Sequence, residues 1–79
     1  MELFGYGRYH VKTLREWRRE RLLSLAELAA KAGVTEKTVG EIERGRVQPH
    51  LRTIRRLAEA LSVEPVEVEE FVAVIRGTT

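Results

Sequence analysis

Apolar residues recur along most of this chain at intervals of three and four, the spacing of one face of an α-helix, and polar punctuation divides them into five blocks. From about residue 11 to 21, Val11, Leu14, Trp17 and Arg18 line one side, with Arg15, Glu16, Arg19 and Glu20 opposite. Over 24–32, Leu25, Leu28, Ala29 and Ala32 share a face, and Ser24 with Glu27 makes a capping box at its start. Gly33 supplies a left-handed stop, and Thr35 caps a third block over 36–43 whose inward residues are Val39 and Ile42. Leu51, Ile54, Leu57, Ala58 and Leu61 trace a fourth over 51–61, with His50 as a weak cap. Glu64-Pro65 opens a fifth over 65–76 through Val68, Phe71, Val72 and Ile75, which Gly77 ends. The pattern predicts an all-α domain over residues 11–76, with an N-terminal arm at 1–10 and a C-terminal tail at 77–79.

The second and third blocks are joined by so short a turn that they read as a helix-turn-helix, with Ala29 as the small residue where the helices cross. Arg18 interrupts the apolar stripe of the first block. A charge on an inward face needs a partner, and Glu43, which shares a face with Val39 and Ile42, is the acid placed to supply it. The arm carries Phe4, Tyr6 and Tyr9 among glycines and Arg8. It either reaches nucleic acid or tucks its aromatics against the core.

Seventy-nine residues allow one modest core, and the absence of cysteine removes thiolate catalysis, disulfides and Cys-based zinc sites. Two histidines are too few and too scattered for a metal site, and no cofactor is expected. No apolar run approaches the roughly 20 residues of a membrane span, and no secretion signal is evident, so a cytoplasmic protein is expected. The formal charge of +2 is unevenly spread: residues 1–61 carry 13 Lys or Arg against 8 Glu, whereas residues 62–79 carry Arg76 against four Glu. A basic body suits a polyanion and leaves the acidic end for something else.

Leu14-Arg-Glu-Trp-Arg18, Leu23-Ser-Leu-Ala-Glu-Leu-Ala29, Gly33-Val-Thr35, Val39, Ile42-Glu-Arg-Gly45, Pro49 and Leu57-Ala-Glu-Ala-Leu61 together resemble the lambda-repressor-like, or xenobiotic response element (Cro/C1-type), helix-turn-helix family. The resemblance covers roughly residues 11–71. It implies a compact five-helix domain whose third helix enters the DNA major groove, two copies binding a near-palindromic operator. Two positions depart from the family's habit. Leu25 stands where a glutamine often touches a phosphate, and Leu22 stands where a glycine often precedes the second helix, so the first turn is expected to close differently.

With Val39 and Ile42 inward, Glu36, Lys37, Thr38, Gly40, Glu41 and Arg44 are the candidates for base reading. Lys37 or Arg44 suits guanine, Glu36 or Glu41 the cytosine amino group, and the Thr38 methyl a thymine. Gly40 either lets the helix lie deep in the groove or is a defect costing about 1 kcal/mol. Thr35, Arg46, Gln48 and His50 are the phosphate candidates, since a loop entering a helix N-terminus is suited to anions. Arg52, Arg55, Arg56 and Arg19 or Arg21 add general attraction. The fifth block is apolar over a wider arc than one small core needs, and Val66, Phe71 and Val74 are expected at a homodimer interface.

The reading is a sequence-specific DNA-binding regulator, most simply a repressor, that is not an enzyme: no nucleophile–base–orienter set and no phosphate loop is present. The alternative, on the same fold, is a protein-interaction module of antitoxin-like or transcription-factor-binding kind. Acidic Glu36 and Glu41 favour that alternative, and the basic bias of residues 1–61 opposes it.

Overall fold

The computed structural model describes residues 10–77, and the aromatic arm and the last two residues of the tail lie outside the described residues. Five α-helices follow one another: α1 Leu14–Glu20, α2 Leu25–Ala32, α3 Glu36–Glu43, α4 Leu51–Leu61 and α5 Glu69–Gly77, with a 3-10 turn at Pro65–Glu67 before α5. Leu14 and Trp17 of α1, Leu28 and Ala29 of α2, Val39 and Ile42 of α3, Leu57 and Leu61 of α4, and Phe71 of α5 meet in one core. Among the described residues no helix is long and apolar enough to cross a membrane.

The first helix starts three residues later than its periodicity predicts. Thr13 is the cap: its hydroxyl accepts from the Glu16 N–H at 3.1 Å, and the Glu16 carboxylate accepts from the Thr13 N–H at 2.9 Å. Before it the chain is extended, because Lys12 is bridged in parallel to Val68: its N–H donates to the Glu67 carbonyl (3.0 Å) and its carbonyl accepts from the Glu69 N–H (2.8 Å). Val11, expected inward, is 56% exposed. A pairing across more than fifty residues leaves no trace in local spacing.

The same bridge explains the break in the fifth block. Val68 is extended (φ −108°, ψ 118°), so the expected continuous helix divides into the 3-10 turn and α5. Val68 is fully buried. Trp17 Nε1 donates to the Glu67 carbonyl at 2.7 Å, and the Leu14 N–H donates to Glu70 Oε1 at 2.8 Å. The junction before α5 is thereby held against the start of α1.

Helices α1 to α4 all stop in the same way. Beyond each, one residue takes a left-handed conformation and paired backbone bonds close the turn, as where the Leu23 N–H reaches the Arg18 carbonyl and the Leu22 N–H reaches Arg19, both at 3.0 Å. The left-handed positions are Leu22 (φ 59°), Gly33 (72°), Gly45 (72°) and Ser62 (58°). The expectation that Leu22 makes the first turn close differently is therefore corrected. It adopts the conformation a glycine would take, and in that geometry two of the orphan carbonyls at the end of α1 are satisfied.

Candidate nucleic-acid interface

The helix-turn-helix is fixed from within. Thr35 caps α3, its hydroxyl accepting from the Thr38 N–H at 3.1 Å and donating to Thr38 Oγ1 at 2.9 Å. At the other end of α3, Glu43 accepts from Arg18 Nε at 2.7 Å, Arg18 Nη2 at 3.1 Å and Arg15 Nε at 3.2 Å. The Glu43 side chain is 2% exposed and that of Arg18 11%. Arg18 also donates to the Leu23 carbonyl at 3.1 Å, so a single guanidinium joins α1, the turn into α2, and α3. Burial pushes the Glu43 carboxyl up, but the hydrogen bonds from Arg18 and then Arg15 outweigh it and hold the group below the ordinary glutamate range. Its hydrogen bond to Glu43 raises Arg18 in turn, against the opposing effect of burial.

The outer surface of α3 is more structured than a row of free side chains. Glu36 and Lys37 are exposed and Thr38 is half-buried. Glu41 is also half-buried, and its Oε2 faces Arg44 Nη1 at 3.4 Å and Arg46 Nη1 at 4.0 Å. Gly40 is buried rather than open. A Cβ built there would stand 3.1 Å from Arg44 Nη1, so the Arg44 guanidinium lies across the bare backbone that was expected to meet the groove.

Lys37, Thr38 and Glu41 share a cleft of about 500 Å³ with Gln48, His50 and Thr53. Base-reading and phosphate candidates thus meet on one side of the molecule. Arg46 and Arg44 join them through Glu41, whereas Glu36 and Thr35 sit at the N-terminus of α3, outside the cleft lining. His50 occupies the N-cap position of α4 but makes no side-chain cap hydrogen bond, contrary to expectation. An imidazole is not among the side chains that readily reach back to the second or third amide. Val47, 47% exposed, and Thr53 also line the cleft and went unnoticed in the sequence, since neither carries charge nor fits a motif.

Two arginines expected to attract DNA are engaged elsewhere. Arg21 Nε donates to the Leu61 carbonyl at 2.7 Å at the end of α4, and Arg56 Nη1 donates to the Gly33 carbonyl at 3.3 Å after α2. Arg52 and Arg55 are exposed, with no acidic partner among the described residues.

The expected dimer residues separate. Phe71 is fully buried in the core cluster, which corrects its assignment to an intersubunit surface: its ring is covered within one chain. Val74 is half-buried against the core, and Val66 is 40% exposed. Val66 lines an open apolar groove with Leu51, Ile54, Arg55, Pro65 and Ile75.

Residues 14–68 match the helix-turn-helix family HTH_3. An uncharacterised HTH-type transcriptional regulator of Methanothermobacter thermautotrophicus is 43% identical over 54 residues, 68% of this chain and 78% of that protein. Another from Sinorhizobium fredii is 39% identical over 51 residues, 65% of this chain and 66% of its own. Among solved structures, the restriction-modification controller protein C.AhdI of Aeromonas hydrophila superposes with a TM-score of 0.66 at 42% identity, covering 68% of this chain and 82% of the controller. An HTH_3 family transcriptional regulator of Vibrio cholerae gives 0.64 at 33% identity, over 77% of this chain and 33% of the longer protein.

Proposed function

The chain belongs to the helix-turn-helix family of DNA-binding transcriptional regulators, and on that premise we propose that it is a sequence-specific repressor acting as a homodimer on a near-palindromic operator. The observation that carries this reading is the meeting, at one cleft, of the outward residues of α3 with the loop before α4. With α3 in the major groove, Lys37 and Arg44 address guanine, Glu36 and Glu41 the cytosine amino group, and Thr38 a thymine methyl. Arg46, Gln48 and the uncapped amides at the start of α4 then meet the flanking phosphate. His50 stands beside them, and Thr35 marks the corresponding approach at the start of α3. Occupancy of a promoter is sufficient for repression, and no chemistry is asked of the protein.

A gel shift on the promoter region upstream of its own gene tests the reading. Retention is expected at low salt and is lost steeply as salt rises, because each neutralised phosphate contributes about 0.9 to the slope of log K against log salt. The double variant K37A/R44A is expected to bind that promoter and unrelated DNA equally while keeping its helical circular dichroism. Equal discrimination by the variant and the wild type would discard these reading residues. No retention of any duplex would discard the DNA role.

A further inference from the structure

An acidic residue on a surface that approaches a polyanion calls for an explanation, and Glu41 is not merely solvated. One oxygen, Oε2, receives both Arg44 Nη1 (3.4 Å) and Arg46 Nη1 (4.0 Å), so two guanidinium groups from beyond the end of α3 converge on a single carboxylate oxygen. Arg44 lies across the backbone of Gly40, where an added Cβ would stand 3.1 Å from Nη1 and the guanidinium would have to give by a few tenths of an ångström. A glycine inside a helix costs stability, about 1 kcal/mol against alanine, and here its vacant space is used to seat the arginine.

We propose that Glu41 is a specificity-determining residue that acts as an internal substitute for a DNA phosphate, holding Arg44 and Arg46 until a base-edge donor takes its carboxylate. The inference rests on α3 being the recognition helix. In the free protein the two cations are already partnered. On an unrelated duplex, giving them to phosphates strands the Glu41 carboxylate near other phosphates with no donor, and the gain is largely cancelled. On the operator a cytosine amino group at the facing position donates to the carboxylate, and both arginines pass to the duplex without that penalty. Glu41 therefore lowers non-specific affinity more than operator affinity, and the ratio of the two rises.

The test is the variant E41Q, measured by fluorescence anisotropy on an unrelated duplex and on the operator across a range of salt. Non-specific affinity is expected to rise roughly two- to fivefold for each ion pair released, the range a surface pair commands. The salt slope on unrelated DNA is expected to steepen by up to about 0.9 for each further phosphate engaged, and the preference for cytosine at the facing position is expected to disappear. Plain removal of a repelling charge would also raise affinity, so E41Q is repeated in an R44A/R46A background. There the gain must shrink, because no arginines remain to release. A gain that persists undiminished, or wild-type non-specific affinity and slope in E41Q, overturns the inference while leaving the DNA role intact. Failure of the wild type and E41Q alike to bind any duplex overturns the DNA role and the inference together.

Discussion

Glu43 shows how one side chain can decide whether a recognition helix has a fixed position. Its carboxylate is almost without solvent and accepts three hydrogen bonds from two arginines of α1. Truncation in E43A would leave Arg18 facing a space with no counter-charge. Breaking a buried pair from one side costs more than the pair contributes when intact. Because Arg18 keeps some solvent, the expected loss is about 3 kcal/mol, the low end of the range for such pairs, measured by urea unfolding; an unchanged midpoint would make the pair ornamental. The pH dependence has a definite sign. Burial raises the Glu43 carboxyl, the bonds from Arg18 and Arg15 lower it further than that, and the net folded value lies below the free glutamate value. Its stabilising contribution is therefore complete above the unfolded value of about 4.3 and fades as pH falls through the lower folded value. The melting temperatures of wild type and E43Q are expected to keep a constant gap above the unfolded value and to converge as pH falls below it, through the lower folded value. A gap that stays constant through that fall would show that the carboxylate's charge is not what holds α3.

At the level of elements, the four left-handed helix stops separate what local sequence can announce from what it cannot. Gly33 and Gly45 adopt positive φ freely, and Gly33 is recognisable as a stop in the chain itself. Leu22 and Ser62 adopt the same conformation against a cost of roughly 1–2 kcal/mol each, and the paired backbone bonds of the turn accompany it. The same contrast runs through the rest of the fold. Caps at Ser24 and Thr35, the inward stripes of α2, α3 and α4, and the Arg18–Glu43 geometry follow from spacing and from the need to partner a charge. The extended bridge at Lys12 and the kink at Val68 come from a contact between residues more than fifty apart, which no periodicity encodes. At the interface, the outward residues of α3 were legible as a face, but the folding of Arg44 over Gly40 was not, since it depends on side-chain conformation. The strained stops make a quantitative prediction. Leu22 is 87% exposed, so L22G forfeits little burial. Relief of strain less the extra chain entropy of glycine, about 0.5–1 kcal/mol, leaves a net gain of about 0.5–1 kcal/mol. In a domain of this size that corresponds to a rise of roughly 2–8 °C in Tm, and S62G should behave alike. A fall in Tm for both would show that the strain is not where the backbone angles place it.

For the whole molecule the remaining question is how one small domain achieves operator affinity. Half-sites for helix-turn-helix proteins lie one duplex turn, about 34 Å, apart, and the described residues hold a single helix-turn-helix, α2 with α3. One copy therefore suits one half-site, and a pair related by two-fold symmetry suits two. The surface best fitted to bring copies together is the apolar groove between α4 and α5, where Leu51 is 51% and Val66 40% exposed beside Ile75. It is lined by Pro65 and Val66 of the acidic C-terminal stretch and shares no lining residue with the α3 cleft. A charge placed there should act on assembly without touching DNA contacts or core. Sedimentation of the wild type at micromolar concentration is expected to give a dimer, and V66E a monomer that keeps its helical circular dichroism. Because the second half-site is then engaged only from bulk solution, operator affinity in V66E should fall by roughly a hundredfold, the scale on which effective concentration acts. Binding to a single half-site should be unaltered. A wild type that sediments as a monomer while still occupying the full operator would move the pairing of copies from this groove to the DNA itself.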